Sequence, residues 1–495
     1  MALLFNKLKL KQFVKTCVRY GHGKDHWSRV RKRKTPKDKA LEHFDEFYAN
    51  VYGDSWPDIR AALLKTESKY MAVVNNFSDT ERIRSELESI GAINLKAMYD
   101  VQKENIEFFK KKREAKMNNS QEESAATPED QLVEIKKMYP SSYPNLLQAI
   151  KTDDEPVKHE GRIPVPLQSI DKDLNEISLD MNRIIDPTVN LSILHEYVPA
   201  TKIKGLEDWA LESDHYKFYI KADDFQINVE KEDVLPFPKH LHAYTFEREN
   251  NTRFPSPKHG STGVLDYYLF DGASILPVLA LDIQLGDRVL DMCAAPGGKA
   301  LAILQTLMPH ILVANDIQES RVNRIKKVIS QYVSDVYKTE DLFIVTERDA
   351  RWIDETDTYN KILVDVPCTT DRHILHAEDN NIFKPSRIKE RLRLPEIQSD
   401  ILANALKIVA LGGTVVYATC SLSPVQNDGV VQVALKKAWQ ENNAVMVVKD
   451  MTEALLPLQT IYEFAAGRMK YGHIVIPSLK NNWGPMYFCK IVKLE

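Results

Sequence analysis

Two cysteines stand where a thiol could do chemistry. Cys368 lies in KILVDVPCTTDR and Cys420 in VVYATCSLSP, each just after a Val/Ile-rich run that reads as a strand. The five cysteines (Cys17, Cys293, Cys368, Cys420, Cys489) are odd in number and scattered, with no CxxC or Cys/His cluster. Neither a disulfide framework nor a metal site is expected, a reducing compartment fits, and a special cysteine here is a nucleophile rather than a staple. Taken singly, each thiol is better explained as a small buried hydrophobe. At the ends of adjacent crossover-linked strands, beside a ligand-binding turn, the two would face one pocket.

That turn is VLDMCAAPGGKA, which places Asp291 near the end of a strand, then a small, Gly-rich connection, then a helix. Gly297 and Gly298 let backbone approach a ligand, and the helix N-terminus favours a carboxylate; the plain alternative is a tight connection. The next strand ends in Asn315-Asp316, where an acid can accept both hydroxyls of an adenosine ribose, or simply cap the helix starting near Gln318. Asp349, in ERDA after the third strand, is placed to read an adenine amine.

These motifs need a scaffold, and from about Gly260 the pattern supplies one. A helix is expected through Tyr267–Leu281, then strands at Arg288–Met292, Ile311–Asn315, Leu342–Thr346, Lys361–Val366 and Thr414–Thr419, with helices such as Gln318–Val333 and Leu394–Val409 around them. Alternating strand and helix predicts an α/β fold whose mostly parallel, doubly wound sheet is covered on both faces, with ligands beyond the strands' carboxyl ends. Upstream, Phe44, Phe47, Tyr48 and Val51, then Leu87, Ile90, Leu95, Met98 and Val101, recur at helical spacing. Residues 115–130 are polar and low in complexity, as a flexible linker would be, and a mixed segment follows with strand-like stretches at Tyr216–Tyr219 and Phe225–Val229. The expected organisation is a transit segment (1–21), a helical extension (22–114), the linker (115–130), a small α+β domain (131–259) and a catalytic domain (260–495).

DMCAAPGGK, DVPCT and TCS, in that order and spacing, resemble the Nol/Nop/Sun family of RNA cytosine-5 methyltransferases. LFDGASILPVLAL, NNIFKPSR and GPMYFCK look most similar to its mitochondrial ribosomal-RNA branch, and the resemblance covers residues 235–495. It implies a seven-stranded, Rossmann-like methyltransferase sheet. It also implies that Cys293, Ala294, Ala295, Pro296, Gly297, Gly298 and Lys299 hold the methionine part of S-adenosylmethionine. Asp316, with Arg321 nearby, would take the ribose, Asp349 and Ala350 would lie beside the adenine, and Asp365 would sit between cofactor and base. Cys420 would be the nucleophile and Cys368 the product-releasing thiol. This chemistry needs no metal. Many members carry Ser-Gly after the Pro-Cys and a small residue before it, where this chain has Thr369-Thr370 and Val366.

The net charge of −4 does not advertise a nucleic-acid binder, but the charge is uneven. Residues 1–39 carry thirteen Lys or Arg against Asp25 and Asp38, leaving the remainder at about −15. Within that acidic body Lys384, Arg387, Lys389, Arg391 and Arg393, with Arg372, His373 and His376, would make a positive rim for RNA phosphates; the plain alternative is a solvated helix face. Trp483 and Tyr487 are read as core rather than stacking platforms. The first 21 residues are basic, acid-free and apolar on one helical side, as a mitochondrial transit segment is, which directs the expectation to the matrix. RVRKRK at Arg29–Lys34 is the competing nuclear-type tract. No apolar run approaches a bilayer span. The resemblance further implies mitochondrial small-subunit ribosomal RNA as substrate and a helical-repeat partner of the mitochondrial termination-factor type. A ribosome-assembly factor that binds RNA and cofactor with little turnover is the reading from another class.

Overall fold

The computed structural model describes residues 34–67, 69–123, 227–250, 252–333, 342–378, 380–465 and 467–494, with backbone alone for 114–123. The expected transit segment, the RVRKRK tract up to Arg33 and Tyr216–Tyr219 lie outside these residues, as does most of the expected small domain.

Helix α1 (Pro36–Tyr52) starts where Thr35 and Asp38 form a capping box ahead of Pro36. Its periodic Phe44, Phe47, Tyr48 and Val51 are buried, as their spacing predicts. α2 (Trp56–Leu64), β1 (Tyr70–Val74), α3 (Thr80–Ser89), β2 (Ile93–Asn94) and α4 (Leu95–Glu123) follow. The stretch is mostly helical, as expected, but two short strands interrupt it. Gly91, at φ 83°, breaks the apolar run, and Met71-Ala-Val-Val74 is an all-buried strand too short and β-branched to read as helix. α4 also continues through 115–123, the first part of the expected linker, because Glu, Lys, Ala and Gln are good helix formers.

β3 (Asn228–Lys231), β4 (Ala243–Thr245) and β5 (Tyr267–Asp271) come next. Strands β2-β4-β1-β5 make a small antiparallel sheet. The helix expected from Tyr267 is thus a strand first: its aromatic residues pair with β1, Asp271 caps a short 3-10 turn, and only α5 (Ile275–Ala280) is helical.

The large sheet holds β6 (Arg288–Asp291), β7 (Ile311–Asp316), β8 (Phe343–Glu347), β9 (Tyr359–Asp365), β10 (Val409–Thr419), β11 (Met446–Asp450), β12 (His473–Val475) and β13 (Met486–Lys493), together with β3. Its order is β8-β7-β6-β9-β10-β13-β11-β3, with β12 also paired to β13. Seven of these are the expected methyltransferase strands; β3 and β12 extend the sheet to nine. Only β13 runs against the rest. Between the strands lie α6 (Gly298–Leu304), α7 (Glu319–Tyr332), α8 (Asp371–His376), α9 (Ile388–Ile408), α10 (Val430–Asn442) and α11 (Thr452–Leu455). α9 starts a turn and a half before the expected Leu394, because the helix passes through Pro395 instead of beginning at it.

Along β10, Val415 and Tyr417 face one core with α1, α9 and α10, while Val416 and Ala418 face the other with α5, α6 and α7. This period-2 division buries both faces, as a parallel sheet requires. Strand order reverses between β6 and β9, so the cleft above that pair is the topological switch point where such sheets bind ligands. No helix among the described residues is long and apolar enough to cross a membrane.

Candidate active site

The strand ends place the chemistry. β6 ends at Asp291, β7 at Asp316, β9 at Asp365 and β10 at Thr419, all along one edge. The Gly-rich turn is pinned to its neighbour strand by Ala294 N donating to Asn315 O (2.8 Å) and Asn315 Nδ2 donating to Met292 O (3.0 Å). Gly297 adopts φ 108°, which a side chain rarely tolerates. A Cβ on Gly298 would come within 3.0 Å of the Tyr268 ring, so the turn passes under that ring.

Two carboxylates beside this turn carry buried oxygens that accept no well-aligned hydrogen bond among the described residues. Asp291 is fully buried, and neither oxygen makes a well-aligned hydrogen bond among the described residues. Burial above all, and the Asp365 charge next, push its carboxyl up to about 8, with Lys299 and the Cys293 amide offsetting this in part. Asp316 caps Gln318 through Oδ1 (3.2 Å), as its plain reading has it. Its buried Oδ2 has no hydrogen-bond donor among the described residues, the Arg321 guanidinium lying 3.3 Å away while donating to Ala295 O. Buried acceptors of this kind cost stability unless a ligand supplies donors. An ammonium and a pair of vicinal hydroxyls are the groups they fit, and S-adenosylmethionine carries both. Asp349 differs: its oxygens are held by Arg351 (2.6 Å) and by the turn that begins at Ala350, so in this state its carboxylate serves the loop.

Across the cleft the two thiols meet. Cys368 Sγ lies 3.2 Å from Cys420 Sγ, with Cys368 buried and Cys420 partly exposed. The contact with Cys368 and burial hold the Cys420 thiol well above its usual range, while the Lys299 ammonium pulls the other way. Lys299, expected with the cofactor turn, sends its Nζ to Asp365 Oδ2 at 2.6 Å. The motifs read separately from sequence therefore converge: turn, lysine, aspartate and both cysteines form one cluster. Of the other described thiols, Cys293 sits in the turn, within the field of Asp291, Asp316 and Asp365, and Cys489 is buried in the core.

Beneath the cysteines lies a buried polar scaffold that sequence reading missed. Asp371 accepts from Leu422 N (2.7 Å), Ser421 Oγ (3.3 Å), Thr369 Oγ1 and Tyr48 Oη (2.7 Å). Gln426 Oε1 accepts from Thr369 N (3.2 Å), Gln398 Nε2 donates to Pro367 O (2.7 Å), and Thr419 Oγ1 donates to Asn427 Oδ1 (2.6 Å). A five-residue π-turn, Val425–Gly429, presents Gln426 and Asn427 to the loops, a deviation that recurs at functional sites. The available signal was the polar run SPVQNDG placed shortly after an apolar strand.

The expected RNA rim is not brought together as one surface. Arg372 donates to Gly484 O (2.7 Å) and Asn482 Oδ1 (2.7 Å), locking the C-terminal segment to α8. His376 meets Leu63 O at 2.8 Å. Arg391 is buried with its guanidinium 4.1 Å from the Phe383 ring, and Arg387, just before α9, and Arg393, on it, pair with Glu390 and Glu396. Helical spacing alternates inward and outward faces, so one run of cations cannot all reach solvent. Lys389 and His373 are exposed and Lys384 half-buried. Trp483 and Tyr487 are core, as read. No metal-binding cluster of His, Cys, Asp or Glu occurs among the described residues.

A family model described as 16S rRNA methyltransferase RsmB/F matches residues 278–472. The chain is 34% identical over 468 residues to the 5-cytosine rRNA methyltransferase nsun-4 of Caenorhabditis elegans, covering 93% of each chain. It is 34% identical over 490 residues to the 5-cytosine rRNA methyltransferase NSUN4 of Mus musculus, covering 98% of this chain and 97% of the relative. A mitochondrial tRNA (cytosine(34)-C(5))-methyltransferase of Danio rerio is 36% identical over 252 residues, half of this chain and 66% of that one.

Proposed function

This chain belongs to the Nol/Nop/Sun family of RNA cytosine-5 methyltransferases, and from that premise we propose that it methylates carbon-5 of a cytosine in mitochondrial small-subunit ribosomal RNA. The observation that carries the proposal is the 3.2 Å approach of Cys368 to Cys420 beside the Lys299–Asp365 pair.

Carbon-5 of cytosine is a weak nucleophile until something adds to carbon-6. Cys420 makes that addition, forming a thioether and an enamine-like carbon-5; a thiolate is both a strong nucleophile and a workable leaving group. Lys299 favours the Cys420 thiolate through its positive charge, and it holds Asp365 where that carboxyl can hydrogen-bond the base at nitrogen-3 or the exocyclic amine. Cys293–Lys299, Asp291, Asp316 and Arg321 would hold S-adenosylmethionine, with Asp349 and Ala350 available to its adenine, and the cofactor would supply the methyl as an electrophile. Cys368 then takes the proton from carbon-5, its electrons restore the 5,6 double bond, and Cys420 leaves as thiolate. The cytosine must leave its stack to enter the cleft, so single-stranded or loop RNA is the substrate form.

The names of the ribosomal and mitochondrial relatives support the compartment and substrate, as does the acid-free basic N-terminus. With few of the expected rim cations facing outward, RNA affinity falls to a partner, for which a helical-repeat protein of the termination-factor type is our candidate.

The test uses the full chain with S-adenosylmethionine and mitochondrial ribosomal RNA, read by bisulfite sequencing. Cys420→Ala should lose all 5-methylcytosine, and Cys368→Ala should accumulate a covalent protein–RNA adduct. Methylation surviving in Cys420→Ala would remove the mechanism, and ribosome assembly persisting without any methylation in the wild type would favour the assembly-factor role.

A further inference from the structure

The two cysteine loops reach the cleft from different strands, and nothing covalent sets their relative position. One buried carboxylate does. Asp371 is bonded to the Cys368 loop through Thr369 and to the Cys420 loop through Ser421 Oγ and the Leu422 amide. The carboxylate is itself aimed from outside: Tyr48 Oη donates to Asp371 Oδ2 at 2.7 Å, and Tyr52 Oη donates to Leu422 O at 2.9 Å. Both tyrosines lie on α1, one turn apart, and both are fully buried. The matched family region begins at residue 278, so α1 lies well outside it.

We propose that Tyr48, with Tyr52 beside it, is a positioning residue that fixes the mutual placement of the two thiols by aiming Asp371 and gripping Leu422. On this reading α1 is part of the catalytic unit. The inference rests on the proposed roles of Cys420 and Cys368. Its physical basis is that reacting groups must be held within a fraction of an ångström, and that a misplacement of about 1 Å from a distant substitution can cost a hundredfold in rate. Burial holds the Asp371 carboxyl above its usual range, and its donors, the Leu422 amide first and Tyr48 among them, offset this in part. Loss of one donor therefore weakens the hold of this carboxylate on both loops.

The experiment compares wild type, Tyr48→Phe, the double variant Tyr48→Phe/Tyr52→Phe, and Ile59→Val as a core control, since Ile59 is buried in α2 without polar contact to the loops. Each is assayed well below its melting temperature for single-turnover methyl transfer, KM for RNA, S-adenosylhomocysteine affinity, and the rate at which a bifunctional thiol reagent bridges Cys368 and Cys420. Tyr48→Phe should lower the single-turnover rate about tenfold and slow bridging, with KM and S-adenosylhomocysteine affinity within twofold of wild type. The double variant should fall further, and Ile59→Val should change none of these. If Tyr48→Phe melts earlier but reacts and bridges like wild type, the tyrosine is merely structural and the inference fails. If the wild type itself forms no RNA adduct through Cys420, it is the underlying reading that fails.

Discussion

The two sides of the cleft are built differently. On the cofactor side, the turn between β6 and α6 is assembled from residues adjacent in the chain and tied to a single residue of β7, Asn315, through its carbonyl and its side-chain amide. On the base side, the loops after β9 and β10 are held by Asp371, Gln398, Gln426, Asn427 and Tyr48, drawn from four separate segments. Local backbone shape suffices to cradle a ligand whose fixed parts are charges and hydroxyls. Bringing two thiols together over one base needs long-range hydrogen bonds, which work as a set because each buried polar group must be satisfied.

The sharpest way to break the contrast is Gly297→Val. A β-branched residue at φ 108° cannot keep the turn, so S-adenosylhomocysteine binding by calorimetry should weaken at least a hundredfold, roughly 3 kcal/mol. Bridging of Cys368 to Cys420 should be unaffected; if it collapses as well, the two sides are not independent.

Asp291→Asn separates ligand binding from stability. With its folded carboxyl raised to about 8, Asp291 keeps a proton that the unfolded chain has already released. Wild-type stability should therefore fall by roughly 1 kcal/mol per pH unit between about pH 4 and 8, and level off above. Asn removes that slope, so the variant should melt higher near neutral pH while binding S-adenosylhomocysteine about tenfold more weakly. Denaturation across pH reads the first effect and calorimetry the second; an unchanged slope in the variant would mean that Asp291 is ionised in the fold.

The smallest effect belongs to Thr370, a β-branched residue held at φ 49°, ψ 58° in the base-side loop. A left-handed conformation costs about 1–2 kcal/mol for such a residue, while glycine costs about 1 kcal/mol in chain entropy. Thr370→Gly should thus stabilise by about 0.5 kcal/mol, with methylation retained, since the scaffold and not the strain positions Cys368. Denaturant midpoints would show it, and a loss of activity would mean that the strained loop is itself required.

What could be read from sequence follows the same division. The strand–turn–helix at Asp291–Lys299 and the strand ends at Asp316, Asp365 and Cys420 were legible because period and turn chemistry are local properties. Asp371 was not, because it appears in the chain as an ordinary residue after Thr370 and gains its role only when Tyr48 arrives from 323 positions away. The cationic rim was overread for a related reason. A count of Lys and Arg from 384 to 393 contains no information on which face of α9 meets the core, and Arg391 meets it. The small sheet escaped because β1 and β2 are short and their partners lie more than 140 residues further on.

β5 carries a consequence for anyone who would divide this protein. It is the outer strand of the small sheet through β1, and it runs through Asp271 directly into α5 beneath the methyltransferase core. A chain begun at Gly260 would keep Tyr267–Asp271 but leave its β1-facing amides and carbonyls bare, and an aromatic strand with a raw edge invites sticking to its copies. Trading front halves between relatives would meet the same obstacle, because the seam passes through a ladder of hydrogen bonds instead of a hinge.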